Sequence, residues 1–293
     1  MSDNSCSVAF HIGVHKTATS HLQKSLLAVR DELAVQGVRY LGPDQLRQPG
    51  QTVVKAMRAI AADDLESDQA APHQLLLSEE NYIGIPKINR RTPLRRHYPK
   101  AATRLEAVAR ALGRDIDIFM AIRRPTGFLN AVYSQKLAAG QLCTMAQYRY
   151  LSPLGAVDWC DLVSQMRAVP GVGRLVVWCY EDYAAHFATI CEGLVGTVAA
   201  GSVKPLDRRV NSSLSAAAIA ELIHRQRMGE GAPLHDEMRY LLPVAEGYPR
   251  IDAYSPAEHA AGDAAYRDQI AAIGAMPGVT LLDPLWAADA MRA

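Results

Sequence analysis

The sequence contains few cysteines, and their arrangement builds neither a disulfide framework nor a metal site. Its five cysteines are odd in number and widely scattered, and they include no C-x-x-C pair. Closely spaced cysteines are the usual signature of disulfide-rich folds and of zinc sites. Histidine, aspartate and glutamate form no cluster with metal-ligand spacing either. We therefore expect neither disulfides nor a bound metal.

Long hydrophobic runs and an excess of charge of one sign are also missing. No stretch approaches the roughly 18 uncharged apolar residues of a membrane span, and the opening MSDNSCSVAFHIG has neither a basic leader nor a continuous apolar run. Lysine and arginine number 31 against 30 aspartates and glutamates, so the formal net charge is +1. These absences predict a cytoplasmic protein that binds neither nucleic acid nor a membrane surface. Any anion site must be local.

The pattern that is present indicates a large α/β domain. Of the 293 residues 49% are apolar, enough for one extensive core. Apolar, β-rich runs at 7–12, 75–77, 116–122 and 174–180 predict strands. Between them, Leu22, Leu26, Val29 and Leu33 predict one helix face, and Leu105, Val108 and Leu112 another. Because continuous apolar strands have no solvent side, we expect a central parallel sheet covered by helices on both faces, a three-layer sandwich.

The C-terminal part shows mostly helical patterning. Leu214, Ala218 and Leu222 share one helix face, and prolines at 233, 243, 249 and 256 interrupt the pattern further on. We therefore predict a single domain over residues 1–293, with a core at about 7–200 and a helical cap at about 201–293.

A loop rich in hydroxyl groups lies between the first predicted strand and the first predicted helix. It reads His15-Lys16-Thr17-Ala18-Thr19-Ser20. A turn of small residues before a helix directs successive backbone N–H groups at one point, and the Lys16 ammonium and the three hydroxyls can add to such an anion site. The hydroxyls are also expected to cap the helix. The competing interpretation is an ordinary capped helix with a solvated lysine.

This loop differs from the nucleotide-triphosphatase pattern G-x-x-x-x-G-K-[ST]. In that pattern a glycine comes directly before the lysine, whereas here His15 precedes Lys16. The run from His11 to Gln23 instead resembles the 5′-phosphosulfate loop of the sulfotransferases that use 3′-phosphoadenosine-5′-phosphosulfate (PAPS), approximately H-I-G-x-x-K-T-G-T-T/S-x-L-Q. The resemblance implies the P-loop-like sulfotransferase fold, PAPS as co-substrate, no metal, and contacts from Lys16, Thr17, Ala18, Thr19 and Ser20. Ala18 replaces the family's glycine, so we expect position 18 not to need a positive φ.

Two later segments follow the family's order, and the resemblance extends over roughly residues 7–215. Ile122-Arg123-Arg124-Pro125 resembles the 3′-phosphate motif, which implies that Arg123 binds the ribose phosphate; a surface ion pair is the alternative. The family's serine, eight residues after Arg123, is Ala131 here, so we expect that contact either to be absent or to come from Ser134 or Asn130. The segment 204–215 resembles a basic stretch of bacterial members, which implies phosphate contacts from Arg209 with Arg208 and Asn211. A solvated basic loop with Ser213 as a helix N-cap explains that segment equally well.

The resemblance and the chemistry together suggest a base. Transfer of a sulfuryl group to an alcohol needs a group that accepts the hydroxyl proton. Glu80, with Glu79 beside it, follows the second strand and is the first choice, by analogy with a glutamate after a serine pair in similar sulfotransferases. His15 is the second choice, with His21, because imidazole titrates near neutral pH, although His15 can instead close the loop by hydrogen bonding. His11, inside the strand, is interpreted as a core residue.

The acceptor is expected to be a carbohydrate or a small-molecule alcohol. The segment 137–159 mixes Tyr148, Tyr150 and Trp159 with polar residues, a lining suited to a hydroxylated acceptor, although aromatic residues at this spacing are more often core. Two other functions stay open: an ATP-dependent small-molecule kinase with a degenerate P-loop, and a non-catalytic nucleotide-binding protein of the same fold. The sequence leaves the oligomeric state open.

Overall fold

A computed structural model describes residues 6–50, 52–66, 72–84, 98–139, 141, 143–207, 214–229 and 235–286. Its strands are β1 Ser7–His11, β2 Val38–Leu41, β3 Gln74–Ser78, β4 Ile116–Ile122, β5 Val172–Cys179 and β6 Val279–Leu281. Its helices are α1 Thr19–Leu27, α2 Arg30–Val35, α3 Pro43–Leu46, α4 Val53–Glu66, α5 Ala101–Leu112, α6 Pro125–Ala138, α7 Met145–Leu151, α8 Trp159–Arg167, α9 Phe187–Val195, α10 Thr197–Ala200, α11 Ala216–Arg227, α12 His235–Leu241 and α13 Pro256–Gly274.

These strands form one parallel sheet in the order β2-β3-β1-β4-β5-β6. The chain leaves β1 on one side to build β2 and β3, then crosses to the other side to build β4. In open parallel sheets, ligands bind beyond the carboxyl ends of the strands where the strand order reverses. The carboxyl end of β1 is therefore the place where this fold offers a site.

Helices cover both faces of the sheet, as the apolar strands require. Phe10, Leu77 and Met120 face the larger core, which α4, α5, α6, α8, α11 and α13 cover. Ala9, Leu76 and Phe119, their immediate neighbours in the strands, face a second core under α1, α2 and α9. Side chains alternate between faces along a strand, so each strand contributes to both cores. The predicted α/β fold with a central parallel sheet is confirmed.

Three features differ from the predicted elements. The single helix expected over Leu22 to Leu33 is two helices, α1 and α2, which meet at Ala28 and Val29. Strand β2 was not predicted, because it is only four residues long and its sequence shows little hydrophobic pattern. The C-terminal part is also more than a helical cap: it returns to the sheet, where Val279, Thr280 and Leu281 pair with β5 as strand β6.

Within the ranges given above, no helix combines the length and the apolar character that crossing a bilayer requires.

Candidate functional site

The carboxyl ends of four adjacent strands bring the sequence motifs to one edge of the sheet. The β1–α1 loop, residues 12–18, follows β1; Glu79 and Glu80 follow β3; Arg123 and Arg124 follow β4. Tyr180 and Glu181 follow β5, the strand beyond β4. Because β1 lies between β3 and β4, its loop stands between the acidic pair and the arginines.

The β1–α1 loop has the backbone geometry of an anion site. Lys16 and Ala18 adopt left-handed conformations, with φ of 67° and 62°, on either side of Thr17. Alternation between left- and right-handed residues turns consecutive N–H groups toward one point. Among the described residues, the N–H groups of Thr17, Ala18, Thr19 and Ser20 have no hydrogen-bond acceptor. Four donors in a row at the start of a helix are suited to oxyanions such as phosphate or sulfate.

The expectation that Ala18 does not need a positive φ is wrong. Ala18 is the residue before α1 and has φ 62° and ψ 16°. An L-residue pays roughly 1–2 kcal/mol to enter the left-handed region, because its Cβ approaches the backbone. Position 18 therefore has the left-handed conformation that favours glycine, although the residue there is alanine. Gly13, at φ 44°, is a glycine for a further reason, since a Cβ there would overlap the Thr19 methyl group.

The hydroxyls of the loop do not cap α1 as expected. No side chain forms a cap hydrogen bond at the start of this helix. Thr17 donates its hydroxyl proton to the Val14 carbonyl at 2.5 Å, and thereby closes the loop. Thr19 is buried with its methyl group against Gly13, whereas Ser20 is only partly buried on the first turn. The N–H groups at the start of α1 are thus available to donate hydrogen bonds to a ligand.

Arg123 makes direct contact with this loop. Its Nη1 donates to the Lys16 carbonyl oxygen at 2.5 Å, and its guanidinium lies 4.3 Å from the centre of the Tyr180 ring. No carboxylate among the described residues forms an ion pair with it. Burial lowers the pKa of Arg123, with Tyr180 and Glu181 acting against it and the positive charge of Arg250 lowering it further. A largely buried cation with no countercharge in contact is suited to an anionic ligand.

Its neighbour Arg124 has a structural role instead. It forms a two-point ion pair with Asp263 of α13 and donates its backbone N–H to Glu181 at 2.9 Å. Arg124 thus fastens the start of α6 to the C-terminal helix.

The structure answers differently for each of the residues expected to replace the serine that is missing at position 131. The Asn130 amide forms hydrogen bonds with the segment after α12: it donates to Asp252 at 2.9 Å and accepts from the Ala253 N–H at 3.0 Å. Ser134 is buried on α6, and no hydrogen bond joins it to Arg123. Arg209, with Arg208 and Asn211, lies outside the described residues.

Arg250, which the sequence reasoning did not single out, lies close enough for its charge to act on Arg123. Its segment is held by an antiparallel bridge between Ser215 and Arg250 and by the Ala216 N–H, which donates to the Pro249 carbonyl at 2.8 Å. The charge of a second cation in the C-terminal part therefore acts on Arg123.

The acidic pair is held by Arg47, which follows α3. Arg47 donates to both oxygens of Glu79, at 2.6 and 2.7 Å, and to Glu80 at 3.1 Å. Gln23 of α1 donates to the other oxygen of Glu80 at 2.7 Å. Burial alone would raise the pKa of Glu80, but the hydrogen bond from Gln23 and the contact with Arg47 outweigh it, so the pKa lies below its ordinary value. Glu80 is therefore ionised at neutral pH.

His15 joins the loop to the residues after β3. Its Nε2 lies 2.9 Å from the Asn81 amide oxygen and its Nδ1 lies 3.2 Å from the Tyr98 hydroxyl, which also accepts the His15 backbone N–H at 3.3 Å. Burial lowers the pKa of His15 and raises that of Tyr98. The pattern assigns a neutral imidazole that donates from Nε2 and accepts at Nδ1. His15 thus closes the loop by hydrogen bonding, one of the two roles considered for it.

The two other histidines near the loop, His21 and His11, have hydrogen-bond partners of their own. His21 bonds to the Tyr183 hydroxyl at 2.8 Å and to the Leu206 carbonyl at 3.0 Å. His11 is buried, bonds to the Ser78 hydroxyl at 2.8 Å and stacks on Trp178. Burial lowers the pKa of His11 to about 4, against the opposing effect of Glu80.

Glu181 was also missed by sequence reasoning. It accepts hydrogen bonds from the Arg124 N–H and from the Tyr266 hydroxyl, and burial raises its pKa. Its signal was available, because it follows the fourth predicted strand in the same way that Glu79 follows the second. No such signal existed for Arg47, whereas Gln23 is the last residue of the matched loop pattern but was given no role.

The segment 137–159 contributes mainly to the core. Tyr148 is fully buried and donates to the Leu129 carbonyl at 2.8 Å, and Trp159 is buried and donates to the Arg123 carbonyl at 2.8 Å. Tyr150 is exposed. The aromatic lining expected for an acceptor is therefore wrong for Tyr148 and Trp159, which pack inside the domain.

Comparisons with known proteins give a single, distant likeness. No family model matches the sequence, and no curated protein matches it. The crystal structure of a sulfotransferase from Alicyclobacillus acidocaldarius superimposes with a TM-score of 0.40 at 14% sequence identity, over 80% of this chain and 96% of the other. At this distance the activity of the neighbour does not transfer to this chain.

Proposed function

We propose that the chain is an enzyme, a PAPS-dependent sulfotransferase that transfers a sulfuryl group from PAPS to a hydroxyl of a carbohydrate or small-molecule alcohol. The observation that carries the proposal is the hydrogen bond between Arg123 and the Lys16 carbonyl. This bond links two elements. One is a loop whose four N–H groups have no acceptor among the described residues, and the other is a largely buried guanidinium that has no carboxylate partner among them. Two anion-binding elements in contact suit a ligand with two separate anionic groups.

PAPS carries two such groups, the 5′-phosphosulfate and the 3′-phosphate. Thr17, Ala18, Thr19 and Ser20 would hold the phosphosulfate through the β1–α1 loop, with Lys16 supplying positive charge. Arg123 would hold the 3′-phosphate, because its planar fork can meet two phosphate oxygens. Arg250 is available to add charge there in place of the serine missing at position 131; Ser134 and Arg209 stay predictions.

The proposed reaction is a single displacement at sulfur. The acceptor hydroxyl oxygen forms a bond to sulfur, the bond between sulfur and the bridging oxygen breaks, and that oxygen leaves with 3′,5′-adenosine bisphosphate. Lys16 is suited to neutralise the charge that develops on the leaving oxygen. The hydroxyl proton passes to Glu80, which is ionised and partly accessible. His15 remains the second choice for this proton. The proposal involves no metal.

Transfer of radiolabelled sulfuryl from PAPS to a panel of alcohols, sugars and phenols tests this function. We expect Lys16→Met to reduce transfer on the order of a hundredfold, the usual cost of losing one group that stabilises developing charge. Lys24→Met, on the exposed side of α1, the helix that follows the loop, is the matched control and should retain activity. Undiminished transfer by Lys16→Met would overturn the assigned mechanism.

Nucleotide binding separates this function from the two others considered. For a PAPS site, we expect 3′,5′-adenosine bisphosphate to raise the melting temperature more than ADP does, both with and without magnesium. A preference for ATP with magnesium would favour the kinase. Stabilisation by the bisphosphate without transfer to any acceptor would favour a nucleotide-binding protein without catalysis.

A further inference from the structure

One guanidinium contacts both carboxylates of the acidic pair. Arg47 approaches Glu79 with two nitrogens, Nε at 2.6 Å and Nη2 at 2.7 Å, and the same Nη2 lies 3.1 Å from Glu80. Bidentate arginine-carboxylate pairs fix geometry as well as charge. The position of the Arg47 fork is therefore set by Glu79.

The two carboxylates are not equivalent. Glu79 has a side chain only 4% exposed, and besides Arg47 it accepts the Asn81 backbone N–H at 2.8 Å. Its bonding capacity is committed inside the protein. Glu80 is 14% exposed, and it accepts one hydrogen bond on each oxygen, from Gln23 and from Arg47. Glu80 is therefore the more accessible carboxylate of the pair.

The same network reaches the β1–α1 loop. Asn81 donates its backbone N–H to Glu79, while its side-chain oxygen bonds to Nε2 of His15. Gln23, the other partner of Glu80, lies on α1, which begins where that loop ends. The base, its arginine and the loop thus belong to one set of hydrogen bonds.

We propose that Arg47 is a positioning residue that keeps Glu80 ionised and oriented to take the acceptor proton, with Glu79 as its anchor. The proposal rests on the proposed function, and it gives the acidic pair a division of work: Glu79 holds Arg47, and Arg47 with Gln23 holds Glu80. Arg47 does not touch the loop donors or Arg123, so its loss should affect the chemical step more than nucleotide binding.

The charged and titratable groups around Glu80 come from several elements. The groups whose charges are coupled to Glu80 are Arg47, Tyr40, His11, His15 and Tyr98, and Glu79 shares Arg47 with it. Burial lowers the pKa of both histidines, so they are neutral near pH 7. Burial likewise raises the pKa of both tyrosines, which keeps them protonated. Arg47 is accordingly a permanent cation in contact with Glu80, and its removal should raise the pKa of that carboxyl group.

The pH dependence of sulfuryl transfer tests the proposal. In Arg47→Gln, the acidic limb of kcat/KM should move to higher pH by about one unit, the usual effect of losing an opposite charge in contact. The value of kcat should fall at least tenfold, with the dissociation constant for 3′,5′-adenosine bisphosphate changed less than threefold. Arg47→Lys keeps the charge without the fork and should give an intermediate limb. Arg58→Gln, an exposed arginine on α4, is the matched control.

A second measurement does not depend on transfer. The carboxylate of Glu80 contributes stability that is lost as pH falls through its depressed pKa. In Arg47→Gln the folded-state pKa of Glu80 should shift upward, closer to its value in the unfolded chain, so this pH-dependent loss of melting temperature should become smaller. In a Glu80→Gln background, Arg47→Gln should leave the pH dependence of the melting temperature unchanged. If no acceptor is sulfated but this reduction appears, the proposed function fails and the contact stands. If transfer occurs with an unchanged acidic limb in Arg47→Gln and Arg47→Lys, the positioning role is overturned.

Discussion

Arg123 donates a hydrogen bond to the main-chain carbonyl of Lys16, a residue 107 positions earlier in the chain. The bond joins the carboxyl end of β4 to one of the left-handed residues of the β1–α1 loop. Arg123 therefore supports the loop with one nitrogen while the rest of its guanidinium remains available to a ligand.

Removing this guanidinium should weaken nucleotide binding. For Arg123→Gln we expect the dissociation constant of 3′,5′-adenosine bisphosphate, measured by calorimetry, to rise tenfold to a hundredfold, since hydrogen bonds to charged groups contribute about 1.5–3 kcal/mol. Arg123→Lys should recover only part of the loss, because an ammonium lacks the planar fork. Arg174→Gln removes an arginine paired with Asp117 near the opposite end of β5 and serves as the control. Equal affinity in Arg123→Gln and Arg174→Gln would contradict the assignment of Arg123.

Glycine at position 18 should stabilise the protein. Ala18 has φ 62°, a conformation that glycine adopts without steric cost. After allowance for the greater freedom of glycine in the unfolded chain, we expect Ala18→Gly to raise the free energy of unfolding by about 1 kcal/mol in urea titrations. Ala28→Gly, at φ −63° after α1, should instead lower it. A destabilised Ala18→Gly would show that the Ala18 methyl group makes packing contacts that outweigh its strain.

Acid should destabilise the protein partly through His11. Burial lowers its pKa to about 4 in the folded state, against an ordinary value of 6.5. Between those pH values the unfolded chain binds a proton that the folded chain does not, so stability falls as pH falls, by about 1.4 kcal/mol per pH unit at most. His11→Gln should therefore flatten the decline of the unfolding free energy between pH 6.5 and 4.5. The same change at His186, a partly exposed histidine, is the control, and an unaltered slope in His11→Gln would refute the attribution.

The Tyr98 hydroxyl should matter to the loop as well as to stability. Tyr98→Phe removes the group that accepts the His15 N–H and bonds to its imidazole, so we expect about 1–3 kcal/mol of lost stability and weaker bisphosphate binding. Tyr148→Phe removes a buried hydroxyl bonded to Leu129 and should lose stability without weakening that binding. If His15 acts only in closing the loop, His15→Gln should raise KM for PAPS much as Tyr98→Phe does. A selective loss of kcat in His15→Gln would instead favour His15 as the base.

Sequence patterns formed by neighbouring residues predicted most of the strands and the edge of the sheet at which the candidate site lies. The four longest strands were predicted because their apolar runs are continuous, and the edge at which Lys16, Glu80 and Arg123 meet follows from a parallel sheet whose strands all end on one side. Strand β6 escaped prediction because Val279–Leu281 is too short for a pattern to be recognised, and its pairing with β5 spans more than a hundred residues.

Other features of the site depend on contacts that periodicity does not contain. Arg47 lies 32 residues before Glu79, at the end of a single helical turn, and nothing in its local sequence separates it from a solvated arginine. The charge of Arg250 acts on Arg123 from a segment that Asn130 and Ser215 hold in place.

The sequence by itself determined the alternation of strands and helices and the loop of lysine and hydroxyl residues after the first strand, because both depend on residues that are close together in the chain. Only the tertiary structure decided that Ala18 takes a glycine conformation, that the hydroxyls leave the helix uncapped, and that Arg47 holds both glutamates. These outcomes depend on how distant elements pack, and packing sets the backbone angles and hydrogen-bond partners that local propensity leaves undecided.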